Sequence, residues 1–146
     1  MESIRYQFDL IANSLDAKHK RYIHSKSLEN FIIHLNEFTI SEEKELIRKL
    51  ISEYLETIVK SDIDSATGIE FYDKYISPLG GKYKKIGFIS IVPIRYLFVF
   101  SIMVDSLLYL AFFHFPYPLV TILVIVYFLI VQNRYYRRNK VYGIYY

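Results

Sequence analysis

Residues 96–132 read YLFVFSIMVDSLLYLAFFHFPYPLVTILVIVYFLIVQ, and this stretch decides the fold. Its 37 positions hold one Asp, Glu, Lys or Arg, namely Asp105. The first part, residues 96–115, would span about 30 Å as a helix, the thickness of a bilayer hydrocarbon core. The second part, residues 118–132, would span about 22 Å and is short for a crossing. Residues 133–136 can carry it to the interface, with Arg134, Arg137 and Arg138 snorkelling toward water. Between the two parts lies Pro116-Tyr117-Pro118. Two prolines in three residues stop the first helix, and a proline suits the first turn of the second. The reading is a helical hairpin with a tight turn. A soluble core helix is ordinarily 8–20 residues, and 37 nearly uncharged positions exceed what a chain of 146 residues can wrap. A re-entrant hairpin that dips without crossing has the same charge pattern and is the second possibility.

Charge divides the chain in the same place. Residues 1–81 hold ten Lys/Arg against fourteen Asp/Glu, a net charge of −4. Residues 82–146 hold eight against the single Asp105, a net charge of +7. Lys82, Lys84, Lys85 and Arg95 precede the hairpin; Arg134, Arg137, Arg138 and Lys140 follow it; its turn has no charge. The positive-inside rule therefore puts both termini in the cytoplasm and the turn on the far side. Nothing near the N-terminus resembles an export signal, and a bias toward Ile, Lys and Tyr hints at a bacterium. The expectation is a multi-pass protein of the bacterial inner membrane. Its organisation is a cytoplasmic acidic helical domain (1–81), a basic juxtamembrane connector (82–95), a transmembrane helical hairpin (96–133) and a basic aromatic cytoplasmic tail (134–146).

The head reads as helical, so the fold class is all-α: a small N-terminal bundle followed by a two-helix transmembrane hairpin. Its clearest segment is residues 41–60, where Leu46, Ile47, Leu50, Ile51, Tyr54, Leu55 and Ile58 recur at helical spacing. Ser41 reads as its cap, followed by acids that suit the N-terminal dipole. Residues 27–38 carry Leu28, Phe31, Ile32, Leu35 and Phe38 on one side and should pack antiparallel to it. Residues 4–23 carry Ile4, Phe8, Leu10, Ile11 and Leu15. A shorter helix over 66–76 presents Ile69, Tyr72 (or Phe71), Tyr75 and Ile76, and Ser77-Pro78-Leu79-Gly80-Gly81 reads as its stop and as the domain boundary.

The order of LNEFTISEEKELIRKLISEYLETI, a short helix and SPLGGKY ahead of membrane helices resembles the HAAS-type helical juxtamembrane domains of bacterial membrane proteins. The resemblance covers residues 27–83. Pro78 precedes the Leu-Gly pair where the family's proline follows it, and the helix over 4–23 is additional. The resemblance implies an adaptor or signalling role and no catalytic residues.

Asp105 is the sharpest single feature, since an ionised Asp near the bilayer centre costs about 2.5–3.5 kcal/mol on insertion scales. A hairpin folded about Pro116-Tyr117 places it level with residue 128, so Tyr127 is the expected partner. Ser101, Ser106 and Thr121 are further polar groups nearby. Two readings stay open: a proton or ion site, or a protonated Asp bonded to Tyr127 or a second copy as glue. Lys82, Lys84, Lys85, Arg134, Arg137, Arg138 and Lys140 are the expected ligands of anionic lipid headgroups. The tail RYYRRNKVYGIYY interleaves bases and aromatics as single-stranded nucleic-acid binders do, but its place after an apolar helix favours lipid.

With no cysteine in the chain, a disulfide scaffold, a thiolate metal site and a cysteine nucleophile are excluded. His19, His24, His34 and His114 lack zinc spacing. No phosphate-binding glycine loop or nucleophile elbow occurs. No catalytic residue, cofactor or metal is expected. The functional expectation is a non-catalytic membrane-anchored interaction or adaptor module. It would bind a protein partner or a second copy through the hairpin or the acidic head, and no nucleic acid. An immunity protein against a membrane-acting toxin, or a small subunit of an oligomeric channel or transporter, is the alternative.

Overall fold

The computed structural model describes residues 2–91, 94–112 and 118–143. Pro93, His114 and the Pro116-Tyr117 part of the turn lie outside the described residues. The chain is mostly helical, in keeping with an all-α class. It forms two compact units: Met1–Ser90 with Asn139–Tyr146, and Ile91–Arg138.

The first unit, the head, begins with α1 (Glu2–Ser14) and α2 (Ala17–Tyr22). The single helix expected over 4–23 is broken because Asp16 turns its carboxylate onto the backbone N–H of His19 at 2.7 Å and caps α2. After α2 comes α3 (Ser25–His34), extended by a 3-10 turn over Leu35–Glu37. It buries Leu28, Phe31, Ile32 and Leu35, with Phe38 just beyond, as the spacing requires. Next, α4 (Ser41–Lys60) buries Ile47, Ile51, Tyr54, Leu55 and Ile58, whereas Leu46 is half exposed. Ile40 has the extended cap conformation, so Ser41 is the first helical residue rather than the cap. The main helical partner of α4 is α1, and α3 packs against α1 and the C-terminal strand described below.

α5 (Ser65–Phe71) opens on a capping box between Asp64 and Thr67, then passes through a π-helical turn (Tyr72–Ile76) into α6 (Ser77–Tyr83). The Ser77–Gly81 run continues the helix instead of stopping it. Pro78 is tolerated because it lies in the first turn of α6. Gly80 is there to let another chain segment approach: a Cβ on it would lie 2.2 Å from the ring of Tyr142. The head therefore continues past the Gly80-Gly81 pair to Ser90.

The approaching segment is the tail. β1 (Ile89–Ser90) pairs in parallel with β2 (Val141–Tyr142), Ile89 opposite Val141 and Ser90 opposite Tyr142. Parallel pairing needs a long crossover, and here the crossover is the whole second unit. Val141 and Tyr142 are buried in the head. Residues 139–143 are thus part of the head rather than of a separate tail. Their apolar pair Val141-Tyr142 has a core to enter, and the polar side chains beneath it need partners.

The second unit consists of α7 (Ile94–Ala111) packed on α8 (Leu119–Tyr136). Among the described residues, α8 is the one helix long and apolar enough to cross a membrane, and residues 98–111 of α7 form a shorter apolar helix.

Candidate functional site

The first candidate site lies in the second unit and is built around Asp105. Its side chain is fully buried between α7 and α8. One carboxylate oxygen accepts from the backbone N–H of Val120 at 3.0 Å, and the other from that of Thr121 at 2.7 Å. The Thr121 hydroxyl donates to the second oxygen as well. Val120 and Thr121 are the second and third residues of α8, whose N–H groups a capping side chain normally satisfies. The residue in the cap position is Pro118, which has no side-chain acceptor. Asp105 supplies from α7 what Pro118 lacks, and its negative charge meets the positive end of the α8 dipole.

Tyr127, the expected partner, is 70% exposed and not turned toward Asp105. Asp105 faces the first turn of α8, so Val120 and Thr121 occupy the place that the symmetric reading gave to Tyr127. Thr121, noted in the sequence only as a nearby polar group, is the true side-chain partner. Ser101 is buried too, with its hydroxyl on the Phe98 carbonyl at 3.0 Å, and Ser106 bonds the Ile102 carbonyl at 2.8 Å.

Around this polar interior the unit is apolar outward. Phe100, Met103, Leu107, Leu110, Ile122 and Ile130 are all more than half exposed. The unit is therefore inverted relative to a soluble helical pair, with polar groups inside and large apolar side chains outside.

The second candidate site is the clasp that holds the tail in the head. The amide nitrogen of Asn30 donates to the Val141 carbonyl at 2.8 Å. The Ser27 hydroxyl both accepts from the Gly143 N–H at 3.1 Å and donates to the Gly143 carbonyl at 3.3 Å. Both side chains sit on the inner face of α3 and are buried, so each requires these backbone partners. Lys140 donates to Glu37 at 2.5 Å and to the Ile86 carbonyl at 2.9 Å, and the other Glu37 oxygen meets His34 Nδ1 at 2.7 Å. The Lys140 hydrogen bond is the main reason the Glu37 carboxyl is held below its ordinary pKa, with His34 assisting and partial burial opposing.

His24 stands at the α2–α3 junction with φ +49°, in the left-handed region, and is buried. Its Nε2 lies 2.7 Å from the Gly68 carbonyl, and the ring packs on Tyr72. Burial pushes the imidazole pKa down, against the backbone hydrogen bonds of Gly68 and Gly143.

Of the residues expected to meet lipid headgroups, Lys84, Arg134, Arg137 and Arg138 are exposed and Lys82 is half-buried. Lys85 is exposed and pairs with Glu43 at 2.7 Å. Lys140 departs from the expectation, since Glu37 holds it within the head clasp. Among the described residues no group of three His, Asp or Glu gathers as metal ligands would. His19 pairs with Asp16 at 2.7 Å on the surface. A groove of about 310 Å³ opens between α1 and α4, lined by Leu10, Ile11, Leu55 and Val59 with Gln7, Glu56 and Lys60.

The sequence concealed the clasp because residues 139–143 look like a basic tail. The signal that could have found it is the pair Ser27 and Asn30 on the buried side of α3, among Leu28 and Phe31. Compared with known proteins, the chain matches no family model, no curated protein and no solved structure.

Proposed function

We propose that this chain is a non-catalytic, membrane-anchored helical adaptor. The second unit inserts as a two-helix hairpin, and the head offers a helical surface to a protein partner on the cytoplasmic face of a bacterial inner membrane. The observation that carries the reading is the inverted polarity of the α7–α8 unit. In water, its outward Phe, Leu, Ile and Met side chains would each forgo about 1.5–3 kcal/mol of burial. In hydrocarbon the same surface is at home, and the buried carboxylate finds its donors within the hairpin.

The parallel β1–β2 pair supports a hairpin over a single crossing. The chain leaves the head after Ser90 and is back in it at Asn139, so both ends of the second unit are tied to the head. The exposed Lys84, Arg134, Arg137 and Arg138 flank those ends and favour the cytoplasmic side. The Asp105 oxygens are occupied by α8 donors, which favours a scaffolding role for this residue over an ion site. The groove between α1 and α4 is an apolar opening on the head that suits a partner.

Flotation with liposomes tests the anchor. The full chain is expected to float and to resist alkaline extraction. A chain in which a Gly/Ser linker of about sixteen residues, long enough for a parallel crossover, replaces residues 91–138 is expected to stay soluble. A full chain that stays in the soluble fraction contradicts the reading.

A further inference from the structure

We propose that the head carries a binding site for a small phosphomonoester in the cleft between α2 and α5, where Lys18 and Arg21 supply the positive charge. The cleft has a volume of about 280 Å³ and is lined by Lys18, Arg21, Tyr22 and Ser65. All four belong to the head, so the site does not depend on whether the second unit enters a membrane. Lys18 is three positions from Arg21 and four from Tyr22, which sets them on one face of α2. Ser65, the first residue of α5, closes the other side.

The charge here runs against that of the surrounding head. Residues 1–81 carry a net charge of −4, yet residues 17–28 hold Lys18, Lys20, Arg21 and Lys26 and no Asp or Glu. Asp16, the acid next to α2, is bonded to the backbone N–H and the Nδ1 of His19. On the α5 side, Asp64 turns one carboxylate oxygen onto the N–H groups of Ala66 and Thr67. Among the described residues, neither Lys18 nor Arg21 forms an ion pair, and no carboxylate lines the cleft. The Lys18 ammonium instead stands over the Tyr22 ring, 5.9 Å from its centroid.

Buried contacts behind the cleft fix its walls. Gly68 lets α5 close on the end of α2: a Cβ there would fall 3.2 Å from the Tyr22 carbonyl oxygen. His24 Nε2 lies 2.7 Å from the Gly68 carbonyl, and the Tyr54 hydroxyl donates to the Ile23 carbonyl at 2.7 Å. The two cations and the hydroxyl-bearing Tyr22 and Ser65 are therefore presented on a set backbone. A phosphomonoester carries a charge of about −1.5 to −2 at pH 7 and strong acceptor oxygens. It matches two cations in charge, and the fork of Arg21 can hold two of its oxygens at once.

The full chain in mild non-ionic detergent at fixed salt is titrated with glycerol 3-phosphate, and the phosphorus-31 resonance of the probe is followed. Binding is expected to saturate with a Kd below about 5 mM. Arg21→Gln and Lys18→Gln should each weaken it at least about fivefold. Lys49→Gln, which removes an exposed cation from α4, should change it less than about twofold. Lys18 and Arg21 are exposed, so both cleft variants should keep the native Tm. Doping the micelles with phosphatidate distinguishes the source of the phosphate. Loss of the soluble probe's binding assigns a lipid headgroup, and its retention assigns a soluble phosphomonoester; either result upholds the site. The proposal is overturned if glycerol 3-phosphate does not saturate in that range. It is equally overturned if either cleft variant weakens binding no more than Lys49→Gln does, because the attraction would then be one of diffuse charge.

Discussion

Adding one methyl group at Gly80 tests whether the C-terminal strand is seated in the head. In an unobstructed helix, Gly→Ala stabilises by about 0.8–1.0 kcal/mol. At Gly81 nothing lies within 4 Å of the added carbon, so Gly81→Ala should show this gain. At Gly80 the carbon would fall 2.2 Å from one ring atom of Tyr142 and 2.3 Å from the next. The ring cannot swing freely, because Tyr142 is buried and its backbone is paired with β1. Overpacking of this kind costs about 1–3 kcal/mol, so Gly80→Ala should fall below Gly81→Ala by about that amount. For a unit of the head's size this is a Tm lower by about 4–24 °C. The assay is thermal unfolding of the full chain in mild detergent, followed by the near-ultraviolet signal of its tyrosines. In a Tyr142→Ala background the obstruction is gone, and the two alanines should stabilise alike. Equal Tm values for Gly80→Ala and Gly81→Ala in the otherwise native chain would refute the docked strand.

Asp105→Ala leaves the Val120 and Thr121 N–H groups without their acceptor, a cost of about 1–3 kcal/mol. Amide exchange at those two residues should accelerate at least about fivefold, whereas Tyr127→Phe should leave it unchanged. The head should lose stability in mild acid through His24. Its folded pKa lies below the ordinary 6.5, so its contribution is complete above that value and is lost as pH falls through the folded pKa. His24→Asn, which tolerates the left-handed backbone, should flatten the Tm change between pH 7.5 and 5. A second loss, from Glu37, belongs at lower pH, since its folded pKa lies below 4.5. Lys140→Met should remove that second step while leaving the His24 step in place.

The helices of the head were legible where spacing alone specifies them. The buried face of α3 follows from apolar residues three and four apart, and so does that of α4 at Ile47, Ile51, Tyr54, Leu55 and Ile58, while Leu46 is half exposed and Leu50 only partly buried. What was not legible depends on long-range partners. Asp16 could have sat within a helix, but its carboxylate bonds the His19 N–H and divides α1 from α2. Ser77-Pro78-Leu79-Gly80-Gly81 has the composition of a stop, yet it is helical because Gly80 serves a packing need set by Tyr142. No local rule links residue 80 to residue 142. At the candidate site, Asp105 stood out from its apolar surroundings, but its partners were set by where α8 begins. A symmetric fold about the prolines pointed to Tyr127, and the actual offset brings Val120 and Thr121 instead.

The central claim is that the α7–α8 unit crosses a membrane as a hairpin with both of its ends on the side of the head. Two-sided labelling of single introduced thiols in sealed vesicles tests it most directly. Ser14→Cys and Arg138→Cys should react with an impermeant reagent from one and the same side, and Tyr117→Cys only from the other. Labelling of Tyr117→Cys from the head's side would contradict the crossing, and labelling of Ser14→Cys and Arg138→Cys from opposite sides would contradict the hairpin.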